Sequence, residues 1–232
     1  MFLELGGVRL LTDPVLRARV AHLRRQGPAP SVPGQLDAVL LSHLHYDHLD
    51  LPSLRLLPRD VRVLAPAGAA PLLRAAGFAE VEELVPGQAA RVGELRVEAT
   101  PAEHDGRRRP LGPRARPIGF VVNGAHRVYF AGDTDLFPEM ADLRPVGVAL
   151  LPVAGWARKL GPGHMDAEQA ARAAELLRPG IAVPIHWGTL HPRGRRRGAW
   201  FERPPHEFAR RVARLAPDVE VRILEPGAAL GL

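Results

Sequence analysis

Leu41-Ser42-His43-Leu44-His45-Tyr46-Asp47-His48-Leu49-Asp50 is the stretch on which the reading of this chain turns. Just upstream, Ala38-Val39-Leu40-Leu41 is a short apolar run of the kind that forms a buried strand. Three histidines and two aspartates then follow between His43 and Asp50. In extended chain, positions i and i+2 point the same way, so His43 and His45 can address one point in space. Asp47 and His48 fall one turn later and can address a second point beside it. Neutral imidazole and carboxylate are the ligands that Zn²⁺ and related divalent ions take. The plainer reading is a polar loop that caps a strand and starts a helix, but such a loop has little use for three imidazoles. One motif cannot complete two metal spheres, so partners must come from elsewhere in the chain.

The totals narrow the class. A chain of 232 residues, 46% hydrophobic and 24% charged, can bury a proper core, and one soluble domain over residues 1–232 is expected. No apolar run is long enough to span a bilayer, and Met1-Phe2-Leu3-Glu4 lacks the basic-then-apolar pattern of a signal sequence, so none is expected. A cytoplasmic location is the expectation. There is no cysteine, so any metal must be held by His, Asp or Glu. The net charge of +6 is concentrated: residues 107–116 and 193–197 hold nine arginines between them. Removing those nine from the 31 basic residues leaves 22 against 25 acidic ones.

Strand and helix signals alternate along the chain. Phe2 to Leu5 and Val8 to Leu11 flank Gly6-Gly7 as a hairpin. Arg17 to Arg25 is expected to form a short helix, and residues 27–34 a Pro/Gly loop. Asp50 is placed to cap a helix with Pro52 in its first turn, and Gly77 to stop a helix over residues 69–76. Further strands are expected at residues 61–65, 81–85, 89–92, 95–99, 118–122, 127–131, 148–151, 181–185 and 219–224. Asp166 and Gln169 resemble a capping box at the start of the clearest helix, which Gly180 would stop. A last helix over residues 207–215 should bury Phe208, Val212 and Leu215 together. A layered α/β arrangement with strands in the middle fits this order.

Four of these strands end in a candidate ligand: Leu41 leads to His43, Ala99 to His104, Ala131 to Asp133 and Ile185 to His186. Convergence from four strand ends is much harder to dismiss than any one histidine.

His43-x-His45-x-Asp47-His48, then His104, Asp133 and His186 in this order, resemble the metallo-β-lactamase superfamily over nearly the whole chain. The strings Leu11-Thr12-Asp13-Pro14, Gly132-Asp133-Thr134, Gly163-His164-Met165 and His186-Trp187-Gly188-Thr189 resemble one branch. That branch contains the L-ascorbate-6-phosphate lactonases and the N-acyl phosphatidylethanolamine phospholipase D enzymes. The resemblance implies a four-layer αββα sandwich with the site at one edge. It also implies two ions, expected to be Zn²⁺ with Mn²⁺ or Fe²⁺ as alternatives. His43, His45 and His104 would hold the first, Asp47, His48 and His186 the second, and Asp133 both. A hydroxide bridging the two would attack an ester, lactone or phosphodiester, expected to be anionic.

His164, in the loop before the Asp166 helix, is added as a catalytic candidate beside Asp47 and Asp133. In the resembling branch the matching histidine faces substrate without ligating metal, so it could bind an anionic group or protonate the leaving oxygen. Asp13 can support the site from its turn, and Trp156 and Trp187 can line the pocket. His22, His126, His191 and His206 read as surface residues. The arginine runs follow ligands His104 and His186 and could steer an anionic, small-molecule or lipid-like substrate; a solvated loop in an arginine-rich chain explains them as well. A nuclease of the same superfamily is the alternative enzyme, weakened by the lack of an aromatic-interleaved basic surface, so no nucleic acid partner and no membrane insertion are expected. A non-catalytic metal-binding protein would be expected had a ligand been missing, but all seven positions are filled.

Overall fold

The computed structural model describes residues 1–31, 34–155, 160–194 and 198–232. Trp156, Lys159, Arg195, Arg196 and Arg197 lie outside the described residues. Two sheets stack face to face. The first has the order β1-β2-β5-β6-β7, built from β1 (Phe2–Leu5), β2 (Val8–Thr12), β5 (Ala38–Leu40), β6 (Arg62–Pro66) and β7 (Val81–Leu84). Its hairpin β1/β2 is antiparallel, and the remaining pairs are parallel. The second has the order β15-β13-β12-β11-β10-β9-β8, with β8 (Ala89–Val92), β9 (Leu95–Pro101), β10 (Ile118–Asn123), β11 (Arg127–Phe130), β12 (Val148–Pro152), β13 (Ile181–Ile185) and β15 (Glu220–Val221).

Alternation along the strands assigns each residue to a layer, because successive side chains point to opposite faces. Leu10, Leu40 and Leu64 of the first sheet meet Val97, Phe120, Val122 and Leu150 of the second. Their neighbours Leu11, Val39 and Val63 face outward onto α1 (Leu51–Leu54) and α2 (Ala70–Ala75), with Leu54, Leu73 and Phe78 completing that core. On the far side Val121, Tyr129, Ala149 and Leu151 pack under α3 (Ala167–Leu177) and α5 (Pro204–Leu215). The layers run α, β, β, α, the sandwich implied by the resemblance. The small faces of Ala170, Ala173 and Ala174, all fully buried, let α3 and α5 approach closely.

Three local expectations fail for identifiable reasons. Residues 17–25 do not form a helix. They form a tight hairpin, β3 (Arg19–Val20) and β4 (Leu23–Arg25), turned at Ala21 in the left-handed region (φ 46°) and joined by β14 (Leu190–Pro192). Burying Val20 and Leu23 inside the hairpin outweighs the helix preference of its arginines. Helix α3 ends at Leu177, before Gly180, because Arg178 itself takes the left-handed C-cap (φ 44°) ahead of Pro179. Leu215 is 37% exposed, whereas Phe208 and Val212 are fully buried. The capping boundaries hold. Asp50 accepts from Ser53 N at 3.0 Å, and Asp166 with Gln169 forms both halves of a capping box. Among the described residues no helix is long and apolar enough to cross a membrane.

Candidate metal centre

All four strand-end residues arrive at one edge of the sandwich, where the loops after β5, β9, β11 and β13 meet. His43, His45 and His104 bring ligating atoms within 4.8 Å of one another, and so do Asp47, His48 and His186. Asp133 lies between the two sets. Its Oδ2 is 3.1 Å from His48 Nε2 and 3.9 Å from His43 Nε2, while its Oδ1 is 3.5 Å from His186 Nε2. Asp47 Oδ2 completes the second set, 3.6 Å from His186 Nε2. His186 reaches in because its backbone leaves β13 in the left-handed region (φ 60°), a strained turn for a non-glycine residue.

The far nitrogens of four imidazoles are fixed by neighbours, and this sets which tautomer each presents. His104 Nδ1 donates to Gly163 O at 2.7 Å, and His186 Nδ1 to Ala154 O at 2.8 Å. His48 Nδ1 donates to Asp13 Oδ2 at 2.7 Å. Ser42 Oγ spends its proton on the same Asp13 oxygen at 2.5 Å, so it must accept from His43 Nδ1 at 2.9 Å. With the proton on Nδ1, all four turn Nε2 inward, where each ring in its neutral form offers an electron pair. His48 Nε2 and His186 Nε2 then stand 3.1 Å apart, and His104 Nε2 is 2.9 Å from His45 Nδ1. His43 Nε2 and Asp133 Oδ1 are buried with no hydrogen-bond partner among the described residues. Electron pairs and carboxylate oxygens crowded in this way repel unless a cation lies between them, so this donor set fits divalent ions.

Electrostatics divides the histidines. Burial, aided by the neighbouring His48, holds His43 well below the usual imidazole range. Burial also lowers His45, and it takes His104 down to about 4. These three stay neutral, the form that ligates. Burial acts the same way on His48 and His186, but there the charge of Asp133, together with a hydrogen bond to Asp13 for His48 and to Asp47 for His186, outweighs it and both are raised. Burial pushes both carboxyls up. The charges of His186 and His48 nevertheless keep Asp133 well below the usual range, and a hydrogen bond to His186 together with the charges of His48 and His186 brings Asp47 to about 2. Both carboxylates are ionised at neutral pH.

His164 comes to the centre's edge, with Nε2 3.6 Å from Asp133 Oδ2, its ring edge-on to His104, and Nδ1 donating to Gly161 O at 3.2 Å. It makes a further ligand-capable trio with His104 and Asp133. Trp187 is buried beside the centre and donates Nε1 to Pro184 O at 2.9 Å. His22, His126 and His206 are exposed, and His191 is half-buried and meets Phe201 edge-on.

The support behind the ligands was only partly visible in the sequence. Asp13, held at φ 40°, accepts from Ser42 N at 2.8 Å as well as from His48 and Ser42 Oγ, so one carboxylate orients two ligand histidines. Asp135 accepts from Gln169 Nε2 at 2.8 Å and from Gly163 N at 3.4 Å, linking the α3 cap to the carbonyl that holds His104. Asp50 stays out of the cluster, taken up by α1 and by a bidentate pair with Arg17 at 2.7 and 2.8 Å. Of the arginines over residues 107–116, four are exposed, and Arg108 is buried against the ligand loop.

The sequence matches the Beta-lactamase superfamily domain over residues 8–187. It is 35% identical to a UPF0173 metal-dependent hydrolase of Methanopyrus kandleri, over 97% of this chain and 92% of that protein. Igni18, a metallo hydrolase from Ignicoccus hospitalis, superposes with a TM-score of 0.73 at 27% identity, over 98% of this chain and 91% of its own. An isothiocyanate hydrolase from Delia radicum gut bacteria shares the fold, with a TM-score of 0.74 at 21% identity over 100% and 95% of the two chains.

Proposed function

The chain belongs to the metallo-β-lactamase superfamily, among the UPF0173 metal-dependent hydrolases, and on that premise we propose that it cleaves an ester, lactone or phosphodiester with two divalent ions. Zn²⁺ is the first choice, with Mn²⁺ and Fe²⁺ as alternatives. In this reading His43, His45 and His104 hold one ion, Asp47, His48 and His186 the other, and Asp133 both. The observation that carries it is the inward-facing set of imidazole nitrogens around Asp133. Two such ions, when bound, supply a hydroxide nucleophile at neutral pH and a Lewis acid for the substrate oxygen.

The chain's own residues do the rest. Asp47 and Asp133 are the charged ligands that offset the ions, and Asp13, Ser42, Gly163 and Ala154 keep the imidazoles aimed. His164, held at Nδ1 by Gly161 O, can carry a proton on Nε2 and pass it to the leaving oxygen. A cleft of about 370 Å³ opens against Asp47, Asp133 and His186. Its walls include Leu11, Val15, Leu16, Phe130 and Trp187, with the guanidinium of Arg25 among them, donating to Val15 O at 2.5 Å and Arg17 O at 3.3 Å. Apolar walls with one cation suit a lipid-like anionic substrate, in keeping with the lactonase and phospholipase branch. The exposed Arg107, Arg109, Arg114 and Arg116 can add steering.

Metal analysis of the purified chain, followed by a panel of phosphodiesters, lactones, carboxylic esters and nucleic acids, tests this reading. Two ions per chain and hydrolysis of an amphiphilic anionic member are expected, with kcat/KM falling as salt is added. Fewer than two ions under saturating metal would overturn the dinuclear assignment. Turnover of nucleic acid alone would overturn the substrate class.

A further inference from the structure

We infer that Arg108 is a positioning residue that clamps the ligand-bearing loop between Leu44 and Leu49. The inference rests on the metal-hydrolase reading above. The arginine run reads as a surface feature, but Arg108 is only 9% exposed. Its Nη1 donates to Leu44 O at 2.5 Å and to Leu49 O at 2.9 Å. The same guanidinium lies 4.2 Å from the centre of the Tyr46 ring. His45, Asp47 and His48 sit between those two carbonyls, so one cation ties together both ends of the segment that serves both ions. The segment itself is a single tight turn, with His48 N and Leu49 N both donating to His45 O, at 3.1 and 2.7 Å. It has no ladder of its own to hold its width.

The clamp is itself braced. Residues 105–116 fold back as a strap, with Arg108 N donating to Pro113 O, Ala115 N to Gly106 O and Gly112 N to Arg109 O, each at 2.9 Å. The crossing is so close that a Cβ at Gly106 would lie 2.0 Å from Ala115 O. A planar guanidinium can bridge two carbonyls and lie on an aromatic face at once. A lysine ammonium could reach the carbonyls but would lack the flat face that lies on the Tyr46 ring, so arginine suits the position better. Outer groups that orient metal ligands in this way determine how tightly the ions are kept.

The test uses the full chain loaded with Zn²⁺, following release into a chromophoric chelator and the rise in Tm that Zn²⁺ confers. Arg108→Met, which keeps the apolar stem, should release Zn²⁺ roughly tenfold faster and shrink the Zn²⁺-dependent rise in Tm. Tyr46→Leu should shift both in the same direction, while Tyr46→Phe, which keeps the ring, should match the wild type. Release from Arg108→Met at the wild-type rate, or an equal fall in Tm with and without Zn²⁺, overturns the clamp in favour of a purely structural role. If Arg108→Met does not fold, Tyr46→Leu decides, since Tyr46 is 39% exposed and tolerates truncation. Wild-type release from Tyr46→Leu then overturns the clamp. A wild type that binds no divalent ion removes the metal-hydrolase reading as well. Two ions held equally by wild type and variants remove the clamp alone.

Discussion

Replacing Asp13 with Asn would put the orientation of His48 to a direct test. Asn keeps the shape of the side chain and tolerates the left-handed backbone at φ 40°, so the change isolates hydrogen-bond polarity. The carboxylate accepts three times: from Ser42 N on Oδ1, and from Ser42 Oγ and His48 Nδ1 on Oδ2. An amide has one acceptor oxygen and one donor nitrogen. With the oxygen toward Ser42 N, the amide nitrogen faces His48 Nδ1. The ring must then move its proton to Nε2, the atom aimed at Asp133 and His186. With the amide flipped, its nitrogen faces Ser42 N, donor against donor, in a half-buried site. Either arrangement leaves one mismatch, worth about 1–3 kcal/mol. In the first arrangement the mismatch falls on the metal site and, at about 1.4 kcal/mol per decade, is a loss of roughly 5- to 150-fold in metal affinity; in the second it falls on folding stability. Chelator competition on the purified variant measures it, with far-ultraviolet circular dichroism to confirm the fold. Affinity within about twofold of the wild type for both ions, with urea unfolding of the metal-free chain also unchanged, would show that Asp13 does not set the His48 tautomer.

Three further outcomes follow from the same geometry. His164→Ala should lower kcat while the chain still holds two ions; loss of an ion would instead make His164 a ligand through the trio with His104 and Asp133. Gly163→Ala would place a Cβ 3.0 Å from both Cα and Nδ1 of His104, at φ 79°. It should therefore weaken metal binding about tenfold by displacing that ring, as read by chelator competition. Phe208→Ala removes a fully buried ring from beneath α3 and should cost about 3–5 kcal/mol in urea unfolding, with metal affinity unchanged once the protein is folded.

The parts of the site that were legible in the sequence are those written locally. The motif from His43 to Asp50, the apolar runs before His43, His104, Asp133 and His186, and the capping box at Asp166 all depend on near neighbours and on side-chain period. The four-layer sandwich came through resemblance and the sheet order only from the structure, because strand pairing such as β2 with β5 or β13 with β15 is set by distant contacts. The hairpin over residues 17–25 was misread because its reward, burial of Val20 and Leu23 and pairing with β14, arrives from 170 residues away. Arg108 was hidden differently. Its neighbours Arg107 and Arg109 have the same chemistry in sequence, and only the crossing of the strap at Gly106 turns one of the three inward.

That contrast explains how the centre is built. Strand ends set the ligands' positions to within a few ångströms, but a ligand's usefulness depends on which nitrogen faces inward. Here, that choice is made by non-ligands drawn from three loops, with Ala154 and Gly163 sharing the one between β12 and α3. Asp13 comes from the turn after β2, Ser42 follows β5, Ala154 follows β12, and Gly163 precedes α3. Asp135 and the α3 cap extend the chain of support from Gly163 into the helix layer. The helix layers therefore do more than cover the sheets: the cap of α3 fixes a carbonyl that fixes His104. A change in the cap at Gln169, more than 60 residues from His104 in sequence, acts on the metal centre through three hydrogen bonds.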